Sequence, residues 1–201
     1  MALAVAHSRG LDGLNAPPVV VEAHLASGLP SFALVGLPDT EVKEARDRVR
    51  AAIVNSGFEF PSKRITVNLA PADLPKESGR FDLPIALGIL AASGQISRER
   101  LGRYEFLGEL ALGGELRGVR GVLPAALACR DAGRTLLVPG DNTGEATLVG
   151  DVAVLGATHL LEVCRQLATG TALQPPPARS RPALEPVLER DLSDVRGQHH
   201  A

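Results

Sequence analysis

Lys76 and Ser78 stand two residues apart in a polar loop, PADLPKESGR (71–80), which leads directly into the apolar segment FDLPIALGIL (81–90). A serine hydroxyl beside a desolvated lysine can act as a nucleophile with the neutral amine as its base. Residues two apart in a loop do not automatically face each other, and a lysine among polar neighbours is expected to stay protonated. The alternative, which we favour, is that Ser78 belongs to a turn that caps the following helix.

The spacing of apolar residues predicts the elements that surround this loop. Strands are expected over 2–7, 19–25, 31–36, 64–70, 104–110, 115–118, 135–139 and 152–155. Helices are expected over 40–56, 83–92, 123–132 and 158–170, with a small helix capped by Asp141 or Asn142. The first three strands indicate an antiparallel meander, and the later ones alternate with helices. The pattern is typical of an α+β domain with a mixed sheet and packed helices.

Composition narrows the functional classes. The net charge of -2 creates no global basic field, so nucleic-acid binding would need a local patch. Aromatic residues make up only 3% of the chain, which argues against a base-stacking platform. No apolar run reaches the ~18 residues that span a bilayer, and no signal peptide is evident, so we expect a cytoplasmic protein without membrane contact. Cys129 and Cys164 are expected to be reduced core thiols, and no metal-ligand spacing is present.

Basic side chains suggest a local patch on the helix over 40–56. Lys43, Arg46 and Arg50 share one stripe of that helix, opposite its apolar face. They are either a phosphate-contacting stripe or a solvated face with local ion pairs. Further basic residues that could extend the patch are Lys63, Arg64, Lys76 and Arg80, and a second cluster is formed by Arg117 and Arg120.

Three stretches of the chain resemble one known family. They are EVKEARDRVRAAIVNSGFEFPSKRITVNLAPADLPKESGRFDLPIALGIL (41–90), FLGELALGGELRGVRG (106–121) and DLSDVRGQHHA (191–201). They are similar to the N-terminal domain of the ComM/YifB family, the bacterial magnesium-chelatase-like AAA+ proteins. The resemblance implies a Lon-protease-like domain with the ribosomal S5 domain 2-like fold. It also implies a hexameric motor that acts on DNA and promotes branch migration during natural transformation.

The resemblance also implies a domain plan. Residues 1–170 would form the Lon-like domain, 171–188 a proline-rich linker, and 189–201 the start of the AAA+ ATPase module. The phosphate-binding motif G-x-x-x-x-G-K-[ST] is absent from all 201 residues. We therefore expect that this chain neither binds nor hydrolyses ATP, and that ATP and Mg²⁺ belong to the missing ATPase module.

Laid over the Lon pattern, the catalytic serine falls at Phe81 and the catalytic lysine at Leu123. Neither side chain can donate or accept a proton, so the resemblance implies a domain without peptidase activity in which two apolar side chains face each other and fill the former cleft. Its expected roles are ring assembly and DNA contact. The alternatives are an oligomerisation scaffold that never touches DNA, a residual Ser/Lys peptidase, and a chelatase-type partner protein.

Overall fold

A seven-stranded mixed sheet forms the frame of the protein. The computed structural model describes residues 2–36, 40–72, 74 and 79–169. The strands are Ala2–Arg9 (β1), Pro18–Ala26 (β2), Ser31–Val35 (β3), Arg64–Ala70 (β4), Tyr104–Phe106 (β5), Glu109–Leu110 (β6), Leu116–Arg117 (β7), Thr135–Pro139 (β8) and Val154–Ala157 (β9). The helices are Thr40–Asn55 (α1), Asp82–Ala92 (α2), Val122–Asp131 (α3), Thr143–Ala146 (α4) and Leu160–Thr169 (α5). Short 3-10 turns lie at Gly79–Phe81, Leu101–Arg103 and Gly140–Asn142.

Some sequence predictions fall outside these described residues. They concern the linker over 171–188, the segment 189–201, and the part of the loop that holds Lys76 and Ser78.

The strand order is β3-β4-β2-β1-β5-β8-β9, and β6 and β7 form a separate ribbon. β1 and β4 flank β2 and run antiparallel to it. β5, β8 and β9 extend the sheet beyond β1 with parallel pairings. The predicted mixed sheet with packed helices is confirmed.

The predicted antiparallel meander of the first three strands is wrong. β2 pairs with β4 over seven residues, from Val20 opposite Ala70 to Ala26 opposite Arg64. Since β1 takes the other side of β2, no free edge remains there for β3. β3 lies outside β4 and runs parallel to it. Helix α1 supplies the crossover that a parallel pair requires.

The strand expected over 104–110 is interrupted in its middle. The amide of Leu107 donates to the carbonyl of Leu137 at 3.0 Å, and that of Gly108 donates to the carbonyl of Arg80 at 3.0 Å. β5 therefore stays in the large sheet, whereas β6 leaves it and pairs with β7. β7 is the expected hairpin partner, shortened to two residues.

Helix α2 occupies the centre of the molecule, and all eleven of its residues are buried. It packs against β1, β2 and α1. A Cβ added at Gly88 would lie 3.1 Å from the Cβ of Ala23, so glycine at this position lets the helix backbone approach the sheet closely. A helix that is apolar on every side fits this enclosed position.

Helix α1 covers the same core with its predicted apolar face, on which Ala45, Val49 and Ile53 are buried. A second buried cluster joins α3 to β8 and includes Cys129. No helix in the described part of the chain is long and apolar enough to cross a bilayer.

The two cysteines are buried and form no disulfide. Burial raises the pKa of the Cys129 thiol and of the Cys164 thiol to about 12. The prediction that both thiols lie in the core is confirmed, and a protonated, buried thiol is a poor nucleophile.

A buried ion-pair cluster joins three neighbouring strands of the sheet. Glu105 of β5 accepts hydrogen bonds from Arg9 of β1 at 2.7 and 2.8 Å and from Arg134, just before β8, at 3.0 Å. Arg9 also donates to the carbonyls of Ala16 and Ala128. Each oxygen of the buried carboxylate therefore has a charged donor, as burial of a charge requires.

A second buried carboxylate sits at the start of α2. Asp82 is fully buried and accepts hydrogen bonds from Arg48 of α1 at 2.8 and 3.3 Å and from the amide of Leu110 at 3.2 Å. Burial raises the pKa of Asp82 to about 6, although these donors oppose the rise. The hydrogen bond to Asp82 raises the pKa of Arg48. The hydrogen bonds of Asp82 therefore link α1 and β6 to α2. Burial of the carboxylate costs free energy, because its charged form loses hydration.

We predict that Gly36→Ala destabilises the fold by at least about 3 kcal/mol. Gly36 has a φ of 96°, and a Cβ there would lie 2.1 Å from the carbonyl oxygen of Leu69. Gly57→Ala is the matched control, because Gly57 has a φ of 84° with nothing within 4 Å of an added Cβ. That control should lose only about 1 kcal/mol, the cost of a left-handed backbone. Equal urea midpoints for the two variants would contradict the steric argument.

We predict that Asp82 makes the protein less stable as pH rises from about 4 to about 6. The folded-state pKa of about 6 lies above the unfolded value of 3.8, so the folded chain holds this proton more tightly. Relative to Asp82→Asn, the wild-type free energy of unfolding should therefore fall by about 2 kcal/mol between pH 4 and pH 7.

Urea unfolding at several pH values measures this difference. Glu44→Gln is the control, because exposed Glu44 lies 3.9 Å from Arg48 and should leave the pH dependence of stability unchanged. Parallel stability curves for wild type and Asp82→Asn would refute the assignment.

Candidate nucleic-acid interface

The two positions matched to a hydrolase pair lie in different surroundings. Phe81 closes the 3-10 turn before α2 and is buried in the main core. Leu123 lies in the first turn of α3, is 36% exposed and belongs to neither buried cluster. Its amide donates to the carboxylate of Glu145 at 2.9 Å. The expectation that both side chains fill one former cleft is therefore wrong for Leu123, which remains at the surface.

Arg80 was predicted to contact DNA, and the structure contradicts this. Arg80 is 2% exposed, and its guanidinium donates to the carbonyls of Arg9, Gly10 and Arg120. Burial lowers the pKa of Arg80. The guanidinium donates to carbonyls at the end of β1 and in the loop before α3, so it joins two chain segments. Sequence could not reveal this, because the three acceptors are backbone atoms distant along the chain.

The basic residues of α1 point in different directions. Arg46 and Arg50 are exposed, whereas Arg48 turns inward to Asp82. The side chain of Lys43 lies outside the described part of the structure. Two of the three residues in the predicted stripe are therefore at the surface.

Arg50 has a defined position on that surface. Its guanidinium carbon lies 5.2 Å from the centroid of the Phe60 ring, within the range of a cation–π contact. Phe60 in turn packs against Phe32, with ring centroids 5.8 Å apart. Lys63 and Arg64 follow in the chain and are exposed at the start of β4. The structure thus brings Arg50 close to the chain segment that carries Lys63.

The second predicted basic cluster, at the end of β7, is partly neutralised. Arg117 is exposed but lies 3.4 Å from Glu109 on the paired strand. Arg120 is exposed, and its carbonyl accepts from Arg80. Cross-strand pairing places Glu109 directly opposite Arg117, which the sequence spacing alone did not show.

Asn142 holds the loop that carries this cluster. Its side-chain amide donates to the carbonyl of Val119 at 2.8 Å and accepts from the amide of Val119 at 2.8 Å. The sequence predicts Asn142 as one of two possible caps of α4, but the Asn142 side chain makes no capping hydrogen bond. An asparagine before a short helix gives the same local signal in both cases, so only the fold could separate them.

The histidines of the described residues form no cluster with other candidate ligands. Within the described residues, no group of three or more His, Cys, Asp or Glu side chains could hold a metal ion. His7 is half-buried on β1, and burial together with the nearby Arg134 lowers its pKa despite the opposing effect of Glu105. His159 lies 3.2 Å from the carbonyl of Gly113.

Comparison with known proteins adds a relationship that covers the whole chain. Residues 21–142, from β2 to the turn before α4, match the family described as subunit ChlI of Mg-chelatase. The chain is 52% identical over 198 residues to the protein YifB of Escherichia coli K12, covering 98% of this chain and 39% of the relative. It is 50% identical over 207 residues to the competence protein ComM of Haemophilus influenzae, covering 100% of this chain and 40% of the relative.

A Mycobacterium tuberculosis protein is 43% identical over 203 residues, with 100% of this chain and 40% of the relative covered. The chain therefore spans about 40% of the length of the curated relatives that it matches. The matched region includes α1, α2 and α3, which carry the buried Asp82–Arg48 pair and both positions aligned with the hydrolase pair. On this similarity, the chain belongs to the ComM/YifB family of magnesium-chelatase-like AAA+ proteins.

Proposed function

We propose that this chain is the Lon-like, non-catalytic N-terminal domain of a hexameric AAA+ motor that acts on DNA, as in ComM-type branch migration. The observation that carries the proposal is the 50% identity to a competence protein over the entire chain. Competence concerns the uptake of DNA, and a motor for that process must move a nucleic-acid strand. The mixed sheet with a buried central helix supports the S5 domain 2-like assignment.

The proposal assigns no chemistry to this domain. Phe81 is buried in the core and Leu123 lies on the surface, and neither carries a titratable group. The chain has no phosphate-binding G-x-x-x-x-G-K-[ST] motif, so ATP and Mg²⁺ are assigned to the ATPase module of the whole protein. The domain then contributes its shape, to ring assembly, and its surface, to DNA contact.

The DNA-contacting surface, as proposed, includes fewer residues than sequence predicts. Arg80 is removed from it by burial, and Arg117 is weakened by its pairing with Glu109. The remaining members are Lys43, Arg46, Arg50, Lys63, Arg64, Lys76 and Arg120. Contacts of this kind would be electrostatic and independent of base sequence.

A second candidate function is a pure assembly scaffold without DNA contact. The inward turn of Arg48, the burial of Arg80 and the pairing of Arg117 favour it, because each lowers the positive charge that a strand would meet. The two candidates make opposite statements about DNA retention, so one experiment separates them.

We predict that replacing Lys43, Arg46 and Arg50 together by Glu lowers DNA affinity at least tenfold. The change reverses three charges on one helix face, and each lost phosphate contact also reduces the salt dependence of binding. Fluorescence anisotropy with labelled DNA across a salt series measures both effects. The control reverses Arg103 and Arg165, which are exposed and lie outside the proposed surface. Equal affinity in wild type and triple variant would favour the scaffold.

We predict that a fluorophosphonate probe does not label the chain and that unfolded casein stays intact. A lysine among polar neighbours, as Lys76 is in the sequence, is expected to stay protonated and then cannot activate the hydroxyl of Ser78. The two aligned positions hold Phe81 and Leu123. Mass spectrometry of the probe-treated chain checks the outcome, with Ser78→Ala as the matched control. A probe adduct on Ser78 that this control lacks would establish the peptidase instead.

A further inference from the structure

A small cleft opens where α1 passes the turn between β2 and β3. It has a volume of about 120 Å³, and we call it the Phe60 cleft. The side chains that its chemistry depends on are Ser31, Phe32, Arg50, Phe60, Ser62 and Lys63. An adjoining cleft of about 270 Å³ shares Pro61, Ser62 and Lys63 with it and continues toward Glu59 and Gln95.

The backbone around the Phe60 cleft is held in place. The amide of Lys63 donates to the carbonyl of Pro61 at 2.9 Å, and the amide of Ser31 donates to the carbonyl of Lys63 at 3.3 Å. Phe32 continues into β3, which is paired along its length with β4. A site with a fixed backbone can bind a ligand without first ordering its own chain.

Two positive charges remain available at this cleft. No side chain that lines it is acidic, and in the described part of the chain neither Arg50 nor Lys63 forms a salt bridge. Arg50 is instead positioned by the face of Phe60, which leaves its N–H donors free of a competing carboxylate. Arg48 and Arg117, by contrast, are both engaged by carboxylates.

Two serine hydroxyls and two phenylalanine rings also line the cleft. Ser31 and Ser62 offer hydroxyl donors beside the two cations. A phosphate group takes this combination of an arginine, a lysine and hydroxyl donors. Two of the five phenylalanines of the chain, Phe32 and Phe60, meet here. An arginine plane and an aromatic ring are the surfaces on which an unstacked base can lie.

We infer that the Phe60 cleft binds a phosphate group of a single-stranded nucleic acid, with the adjacent base against Arg50 and Phe60. This inference rests on the proposed DNA contact and specifies that the Phe60 cleft contacts a single strand. The bases of a duplex are stacked on each other and cannot reach a recess of about 120 Å³. Lys63 and Arg50 hold the phosphate, and Phe60 both positions Arg50 and contacts the base.

The experiment measures anisotropy of labelled oligo-dT and of a labelled duplex with the 201-residue chain and four variants. Lys63→Gln and Arg50→Gln should each weaken oligo-dT binding about five- to tenfold. Phe60→Leu keeps every charge and should weaken oligo-dT binding by a similar factor while changing duplex binding less than twofold. Arg103→Gln, which removes an exposed charge outside the cleft, should leave both unchanged. Thermal unfolding confirms that each variant is folded.

The outcomes separate this inference from the proposed function. If the wild type binds oligo-dT and the cleft variants bind it equally well, the inference is overturned while the DNA contact stands. If the wild type binds neither DNA, both fail. Titration with inorganic phosphate, followed by NMR shifts at Ser62 and Lys63, tests a free anion as the source of the phosphate. Shifts at these residues without oligo-dT binding would overturn the single-strand assignment.

Discussion

Complete burial of α2 is the constraint on which the rest of the structure depends. Eleven residues without an exposed side need partners on every side, and the sheet and α1 provide them. The requirement extends to small residues, because Gly88 and Ala23 bring helix and sheet into close contact. It also buries the Asp82 carboxylate at the helix start, where a charge needs a partner. Arg48 of α1 pairs with this carboxylate and thereby fixes the position of α1 relative to α2.

The same constraint shapes the surface charge of the domain. Arg48 turns inward to a carboxylate, whereas Arg50, two residues later, points to solvent and lies over Phe60. Arg80, next to the buried helix, donates to the backbone carbonyls of Arg9, Gly10 and Arg120. Arg50, Lys63 and Arg64 are exposed and lie beside the turn that enters β3. The aligned positions of this domain carry no catalytic groups. Exposed positive charge is therefore the property by which the domain would attract DNA phosphates.

Sequence reasoning reached much of the fold and part of the candidate site. The predicted bounds of α2, which is buried on every side, are within one residue of those observed. Apolar periodicity placed α1 within one residue, because apolar side chains recur about every 3.6 residues on the helix face that packs. It failed for the partner of β3, because pairing depends on which strand reaches a free edge. The list of basic residues was chosen by type and spacing. It could not show that Arg80 is buried or that Glu109 lies beside Arg117, because both facts involve residues distant in sequence.

The amino-acid sequence by itself determined the family, the mixed α+β class, the lack of the G-x-x-x-x-G-K-[ST] motif in these 201 residues, and the apolar residues at the two aligned positions. Each depends on residue identity or on local spacing. Only the tertiary structure decided which arginines are buried, that Leu123 stays at the surface, and that Arg50, Phe60 and Lys63 share one cleft. The physical reason is that burial and charge pairing are set by atoms brought together from separate parts of the chain, and local sequence carries no record of those neighbours.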